Sequence, residues 1–134
     1  MKPFIIDLTN PSFVGEYKSA LQQFPELKSN VIAELEVLEK DPRSGRDAIP
    51  GFAQALWKTR LGVKGRFGKR GGYRMIYHVD WERRVVTPVA LYFKKDIPDL
   101  PVAEIQQRFE AITKVLQTAP DAQPESTPPP ELLH

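Results

Sequence analysis

Cysteine is absent from the 134 residues, which excludes a disulfide framework, a thiolate metal site and a cysteine nucleophile. Histidine is almost absent, with only His78 and His134, so no metal site is expected from the ligand set. No apolar run approaches the length of a membrane span. The opening Met-Lys-Pro-Phe-Ile-Ile-Asp is too short and too soon acidic for a signal peptide, so the expected location is the cytoplasm, away from any membrane. What remains, 41% hydrophobic and 27% charged residues, is the composition of one ordinary globular domain.

The most informative absence is local. The chain carries 19 Lys+Arg against 17 Asp+Glu, a formal charge of only +2. Yet from Ala48 to Val79 there is no acidic residue, while seven basic ones gather there: Lys58, Arg60, Lys64, Arg66, Lys69, Arg70 and Arg74. Residues 1–47 hold six basic and eight acidic residues, and residues 97–134 two basic and six acidic. Like charges crowded into one segment repel each other, and an anionic partner offsets that repulsion. Charges that merely solubilise a face would be interspersed with carboxylates.

Hydrophobic spacing predicts an α+β domain over residues 1–117, with a small antiparallel-rich sheet in the order βααβββα. Phe4 to Leu8 reads as a short strand. Asn10-Pro11-Ser12 starts a helix, with Asn10 as N-cap and a stripe of Phe13, Tyr17, Leu21 and Phe24. A second helix after Pro25 places Leu27, Val31, Leu35 and Leu38 inside and Lys28, Glu34, Glu36, Glu39 and Lys40 outside, ending at Asp41-Pro42. Three alternating segments follow, at 55–61, 73–79 and 85–94. Between the first two, residues 62–72 hold five of the eight glycines and read as a flexible basic loop. Pro88 cannot donate to a β-ladder, so the last strand needs a bulge or an edge position there. A third helix from about Asp99-Pro101 buries Ile105, Phe109, Ile112 and Leu116. Residues 118–134 contain five prolines and little apolar matter, and read as a mostly disordered tail.

If the three long strands are neighbours, Trp57, Leu61, Met75, Val79, Val89, Leu91 and Phe93 lie against the helices. The opposite face then collects Lys58, Arg60, Arg74, His78, Tyr92 and Lys94, with the glycine-rich loop at its rim. Cations match phosphates, and Tyr or His stacks on bases, so such a face suits a nucleic-acid strand. Other motifs fail. Gly62 and Gly68 are separated by five residues and Lys69 is followed by Arg70, so neither a P-loop nor a dinucleotide glycine pattern fits. A Ser-His-Asp triad would have only His78 beside Asp80 to draw on.

The run Gly68-Lys-Arg-Gly-Gly-Tyr-Arg-Met-Ile-Tyr77, the strand Leu91-Tyr-Phe-Lys-Lys-Asp96 and Leu100 near the next helix resemble the RelE/ParE superfamily of bacterial toxins, in its RelE/HigB-type branch. The resemblance spans about residues 4–116. It implies a RelE-like toxin fold and a metal-independent, cofactor-free endoribonuclease that cuts messenger RNA at the ribosome and is held inactive by an antitoxin protein. In that chemistry the ribose 2′-hydroxyl attacks the adjacent phosphate, which calls for cations around the crowded phosphorus and a group that moves protons.

By motif, Lys58 and Arg60 stand for the family's basic pair, Arg74 for the arginine of the Gly-Tyr-Arg strand, and Lys94 or Lys95 for the basic residue ending the last strand. The family's tyrosine beyond that strand is missing, since the corresponding stretch is Asp99-Leu100-Pro101. Tyr92, His78 or a lysine is then the candidate proton carrier. Lys64, Arg66, Lys69 and Arg70 are candidates for RNA or ribosome contact by charge, and Phe67 either stacks on a base or anchors its loop. A ParE-like inhibitor of gyrase and a noncatalytic RNA-binding member are the alternatives, the former disfavoured by Lys58, Arg60 and Arg74.

Overall fold

The computed structural model describes residues 3–43, 46–63, 65–68 and 71–118. The expected tail lies outside these residues except for Thr118, which ends the last helix, and Lys64, Lys69 and Arg70 also lie outside them.

The elements run β1 (Ile5–Ile6), α1 (Pro11–Gln23), α2 (Leu27–Lys40), β2 (Asp47–Ala48), β3 (Leu56–Leu61), β4 (Tyr73–Asp80), β5 (Val85–Phe93) and α3 (Val102–Thr118). This is the expected α+β order with one extra two-residue strand, β2, too short to leave a periodic signal. α1 starts as its sequence demands: the Asn10 side chain accepts the Phe13 N–H at 3.1 Å and Pro11 occupies the first turn. The sheet order is β1-β5-β4-β3-β2, with β1 parallel to β5 and the other pairs antiparallel.

The sheet is covered on both faces. Against α1 and α2 lie Trp57, Leu61, Tyr73, Met75, Tyr77, Val79, Val86 and Leu91. On the other face Leu56, Ile76, Val89, Ala90 and Tyr92 pack with Phe52, Leu100, Ile105 and Ile112. The expectation of an open second face is therefore corrected: α3 lies on it. The stripe Ile105, Phe109 and Ile112 needs an apolar surface, and Leu56, Ile76 and Ala90 provide one on the face that otherwise carries the cations.

Pro88 has the expected consequence. The β4–β5 register shifts between Ile76 and Tyr77, pairing Ile76 with Ala90 but Tyr77 with Pro88, so Val89 is extra. The strict alternation expected for 85–94 therefore holds only beyond the bulge. Val89 packs with the α3 cluster rather than against α1 and α2, whereas Val86 packs on the α1 and α2 side.

The bulge leaves the outer edge of β5 to side chains, since β1 pairs only with Val85 and Val86. Arg108 of α3 donates to the Val89 carbonyl at 2.9 Å and makes a two-pronged pair with Glu16 of α1, at 2.8 and 2.9 Å. Glu16 also accepts the Leu91 N–H at 2.9 Å. One ion pair thus satisfies the strand edge and ties together the helices of both faces.

A second network corrects the reading of Glu34 as an outward residue. Its carboxylate is buried, accepting from Thr59 Oγ1 at 2.7 Å and from Arg46 Nε at 2.6 Å, with a second prong from Arg46 Nη2. This pins Arg46 to α2 and β3, and Tyr77 Oη donates to the Pro42 carbonyl. A desolvated carboxylate is tolerated here because both oxygens are bonded.

The Gly-Gly-Tyr-Arg block has a steric reason. A Cβ on Gly72 would stand 2.1 Å from the Leu61 carbonyl oxygen, so only glycine lets β4 begin this close to the end of β3. In the intervening loop Val63 and Phe67 pair, Val63 is fully buried, and Phe67 packs edge-on against Phe24 and Phe93. Of the two roles weighed for Phe67, its packing is that of the local anchor, and the described part of 62–72 forms turns around the Val63–Phe67 bridge.

We expect Arg108→Ala to cost about 2–3 kcal/mol in urea denaturation, because it strips a charge-assisted clasp and leaves the Glu16 carboxylate and Val89 carbonyl without that donor. A loss near zero would show that the clasp does not hold α3.

Candidate functional site

The candidate site is a row of side chains crossing three strands at the glycine-loop end of the α3 face. Arg60 on β3 is opposite Arg74 on β4, and Arg74 is opposite Tyr92 on β5. The next row inward is Lys58, Ile76 and Ala90, and the one after it Leu56, His78 and Thr87. Polarity falls along the strands: apolar rows lie under α3, and the cationic row lies where the chain enters the helix through Leu100. Alternation on β3 explains the pair, since Lys58 and Arg60 are two residues apart and share a face.

The row borders a cavity of about 450 Å³, lined by Lys58, Arg60, Asp99, Leu100, Ile105 and the β2 residue Asp47 among others. One wall is Ile49, Pro50 and Phe52, followed before β3 by Ala53 and Gln54, which adopt left-handed φ angles of 50° and 63°. Such angles cost non-glycine residues roughly 1–3 kcal/mol each. The indole N–H groups of Trp57 and Trp81 both donate to the Gln54 carbonyl, at 2.8 and 2.9 Å, and hold the segment there. A larger cavity of about 600 Å³ lies between α1 and the edge of β5, but none of its lining residues is basic. The chemistry lies with the smaller one.

The expected site residues divide by depth. Arg60 is exposed and Lys58 half-buried, its Nζ 3.5 Å from Asp99 Oδ1. Arg74 is only 5% exposed and donates to the Tyr73 carbonyl at 3.2 Å. Burial lowers its pKa, the neighbouring Arg60 guanidinium lowers it further, and Tyr92 opposes the shift; arginine nevertheless stays charged. Tyr92 is 3% exposed, and its hydroxyl has no partner at hydrogen-bonding geometry. Burial pushes its phenol pKa up, and the nearby Asp99 carboxylate pushes it further. His78 is 6% exposed, two rows from Arg60, with its ring 6.1 Å from Phe109. Burial holds its pKa below the ordinary 6.5, only partly countered by Asp80.

The remaining candidates do not join the row. β5 ends at Phe93, so Lys94 lies in the following turn, exposed, with its N–H on the Gly72 carbonyl at 3.0 Å. Lys95 sits over the Phe67 ring at 4.7 Å. Arg66 pairs with Glu26 at 3.0 Å. The structure brings together Lys58, Arg60, Arg74 and Tyr92, and it adds Asp99. Sequence reasoning passed over Asp99 except as part of the stretch lacking a tyrosine; that substitution was the only signal.

The described residues contain no group of three or more potential metal-ligating His, Cys, Asp or Glu side chains. None of their helices is long and apolar enough to cross a membrane. The chain matches no protein-family model and no curated protein. Among solved structures it is similar to the RelBE2 toxin-antitoxin complex of Mycobacterium tuberculosis, at 17% sequence identity and a TM-score of 0.45, over 69% of this chain and 93% of that one.

Two titrations check these environments. Burial raises all four tyrosines above the ordinary value of 10, Tyr17 to about 12. Ultraviolet titration of the folded protein should therefore show less tyrosinate at pH 10 than the unfolded chain. Because the unfolded chain ionises first, stability should be complete below pH 10 and fall as pH rises above it. A full tyrosine step at pH 10 would contradict the packing. His78 has the opposite sign: its folded pKa is depressed, so its contribution is present above pH 6.5 and is lost on acidification. In an NMR titration the His78 ring signals should move with a midpoint below 6.5; a midpoint above that value would place His78 in solvent or beside a carboxylate.

Proposed function

We propose that this chain is the toxin of a toxin-antitoxin pair and acts as a metal-independent endoribonuclease on ribosome-bound messenger RNA. The observation that carries the reading is the arginine pair at the end of the sheet. Arg60 and Arg74 are cross-strand neighbours in a segment with no acidic residue between Ala48 and Val79. Like charges set directly opposite on a sheet destabilise it, and a phosphate between or beside them reverses the sign of that interaction. Arg60 and Lys58 are the reachable cations, while Arg74, beneath them, adds a fixed positive field in a poorly solvated place.

The resemblance carried by Gly71-Gly72-Tyr73-Arg74-Met75-Ile76-Tyr77 supports the same reading, and its arginine is the one in the row. In this mechanism Lys58 and Arg60 hold the non-bridging oxygens of the scissile phosphate. As the 2′-oxygen adds to phosphorus, charge grows on those oxygens and the cations bind it more tightly than in the ground state. Lys94 and Lys95, on the turn after β5, and Arg66, Lys64, Lys69 and Arg70 are proposed to meet flanking RNA or the ribosome by charge. A cognate antitoxin, offering acidic side chains to Lys58 and Arg60, would silence the site by competing for the same cations, and a cytoplasmic location follows from such a substrate.

A noncatalytic RNA-binding role is the second reading, favoured by the burial of Tyr92 and His78, which removes both ring groups from direct contact with an exposed strand. Purified protein added to a translation reaction should yield cleaved, ribosome-associated message, and Arg60→Ala should lower cleavage by roughly 10²-fold or more. Intact message with retained RNA binding would favour the second reading. Intact message together with inhibited DNA supercoiling would replace both by a gyrase-directed toxin.

A further inference from the structure

We infer that Asp99 takes the proton from the attacking ribose hydroxyl, an assignment that rests on the RNA-cleavage reading and names the proton acceptor which that reading leaves open. The cleavage needs a base beside the cations, and the geometry narrows the choice. Arg60 and Arg74 remain protonated. Tyr92 is buried beneath Leu100, with a phenol that burial keeps neutral. His78 lies two rows away beneath α3, enclosed with Phe109. Lys58 is the ammonium of an ion pair. Two carboxylates line the cavity, Asp47 and Asp99, and carboxylates are ionised, and therefore able to accept a proton, at neutral pH.

Position separates the two. Asp47 lies on the outermost strand of the sheet. Asp99 reaches inward from the segment between β5 and α3, with Oδ1 3.5 Å from Lys58 Nζ and its carboxylate close enough to Tyr92 to act on the phenol. It is 73% exposed and its pair with Lys58 is open to water, and exposed pairs are weak. An incoming phosphate therefore displaces the carboxylate from the ammonium at little cost and leaves it beside the bound anion.

The step balances without a metal. The Asp99 carboxylate accepts the 2′-hydroxyl proton as the 2′-oxygen bonds to phosphorus. The bond from phosphorus to the 5′-oxygen breaks, and that oxygen takes a proton from water. The products are a 2′,3′-cyclic phosphate and a 5′-hydroxyl.

The test is single-turnover cleavage of ribosome-bound message by the full chain and by Asp99→Asn and Asp99→Glu at one neutral pH. Binding is read separately on a message carrying a 2′-deoxynucleotide at the cut position. Asp99→Asn should bind within about threefold of wild type and cut roughly 10²–10⁴-fold more slowly. Asp99→Glu should recover part of the rate. Thermal unfolding at the wild-type midpoint verifies that both variants are folded.

An Asp99→Asn protein that cuts within about threefold of wild type overturns the assignment. Tighter binding in that same case would mean that Asp99 only competes with phosphate for Lys58. A wild-type chain that cuts no message removes the cleavage reading itself, and the assignment with it.

Discussion

The pair between Glu16 and Arg108 spans the stretch of the β5 edge that β1 leaves uncovered. The bulge at Val89 turns the second half of β5 and leaves backbone groups facing outward, among them the Val89 carbonyl and the Leu91 N–H. Arg108 takes the first and Glu16 the second, while their charges hold each other. Because one partner comes from α1 and the other from α3, the clasp fixes a helix to each face. It also blocks an edge that would otherwise template pairing with another chain. Everything that depends on α3 being in place depends on this contact.

What α3 does is divide the second face of the sheet in two. Its apolar stripe covers Leu56, Ile76 and Ala90 and encloses His78, and the approach through Leu100 closes over Tyr92. Only the last row, where Arg60 meets Arg74, is left at a groove with Lys58 and Asp99. Charge that would be diffuse on an open sheet is thereby gathered at one end, beside a wall whose strained turn is held by two tryptophans. A low-dielectric floor and a solvated mouth are a combination that strengthens the hold on a phosphate without closing it off from a long polymer.

Much of this was legible along the chain. The helical stripes of α1 and α2, the Asn10 cap and the alternation of β3 and β4 are local patterns, and local patterns survive folding when the partner surface is apolar. Pro88 announced a bulge because proline lacks an N–H, although the extra residue proved to be Val89. Two readings failed for a shared reason. Glu34 read as outward because glutamate on a helix usually is, and the face of Arg74, His78 and Tyr92 read as open because its residues are polar. In each case a partner distant in sequence, Arg46 and Thr59 for Glu34 and α3 for the sheet face, made burial tolerable.

The sequence by itself determined the elements, the polarity of the middle segment and the identity of the cations, because periodicity and charge are properties of neighbours along the chain. That glycine must stand at position 72 emerged only with strand pairing, which brings the Leu61 carbonyl too close for any side chain. Only the tertiary structure decided which cations stay in water, that Arg66 and Lys95 are engaged elsewhere by Glu26 and Phe67, and that Asp99 faces Lys58. Those outcomes are set by contacts between residues far apart in the chain, which no local pattern encodes.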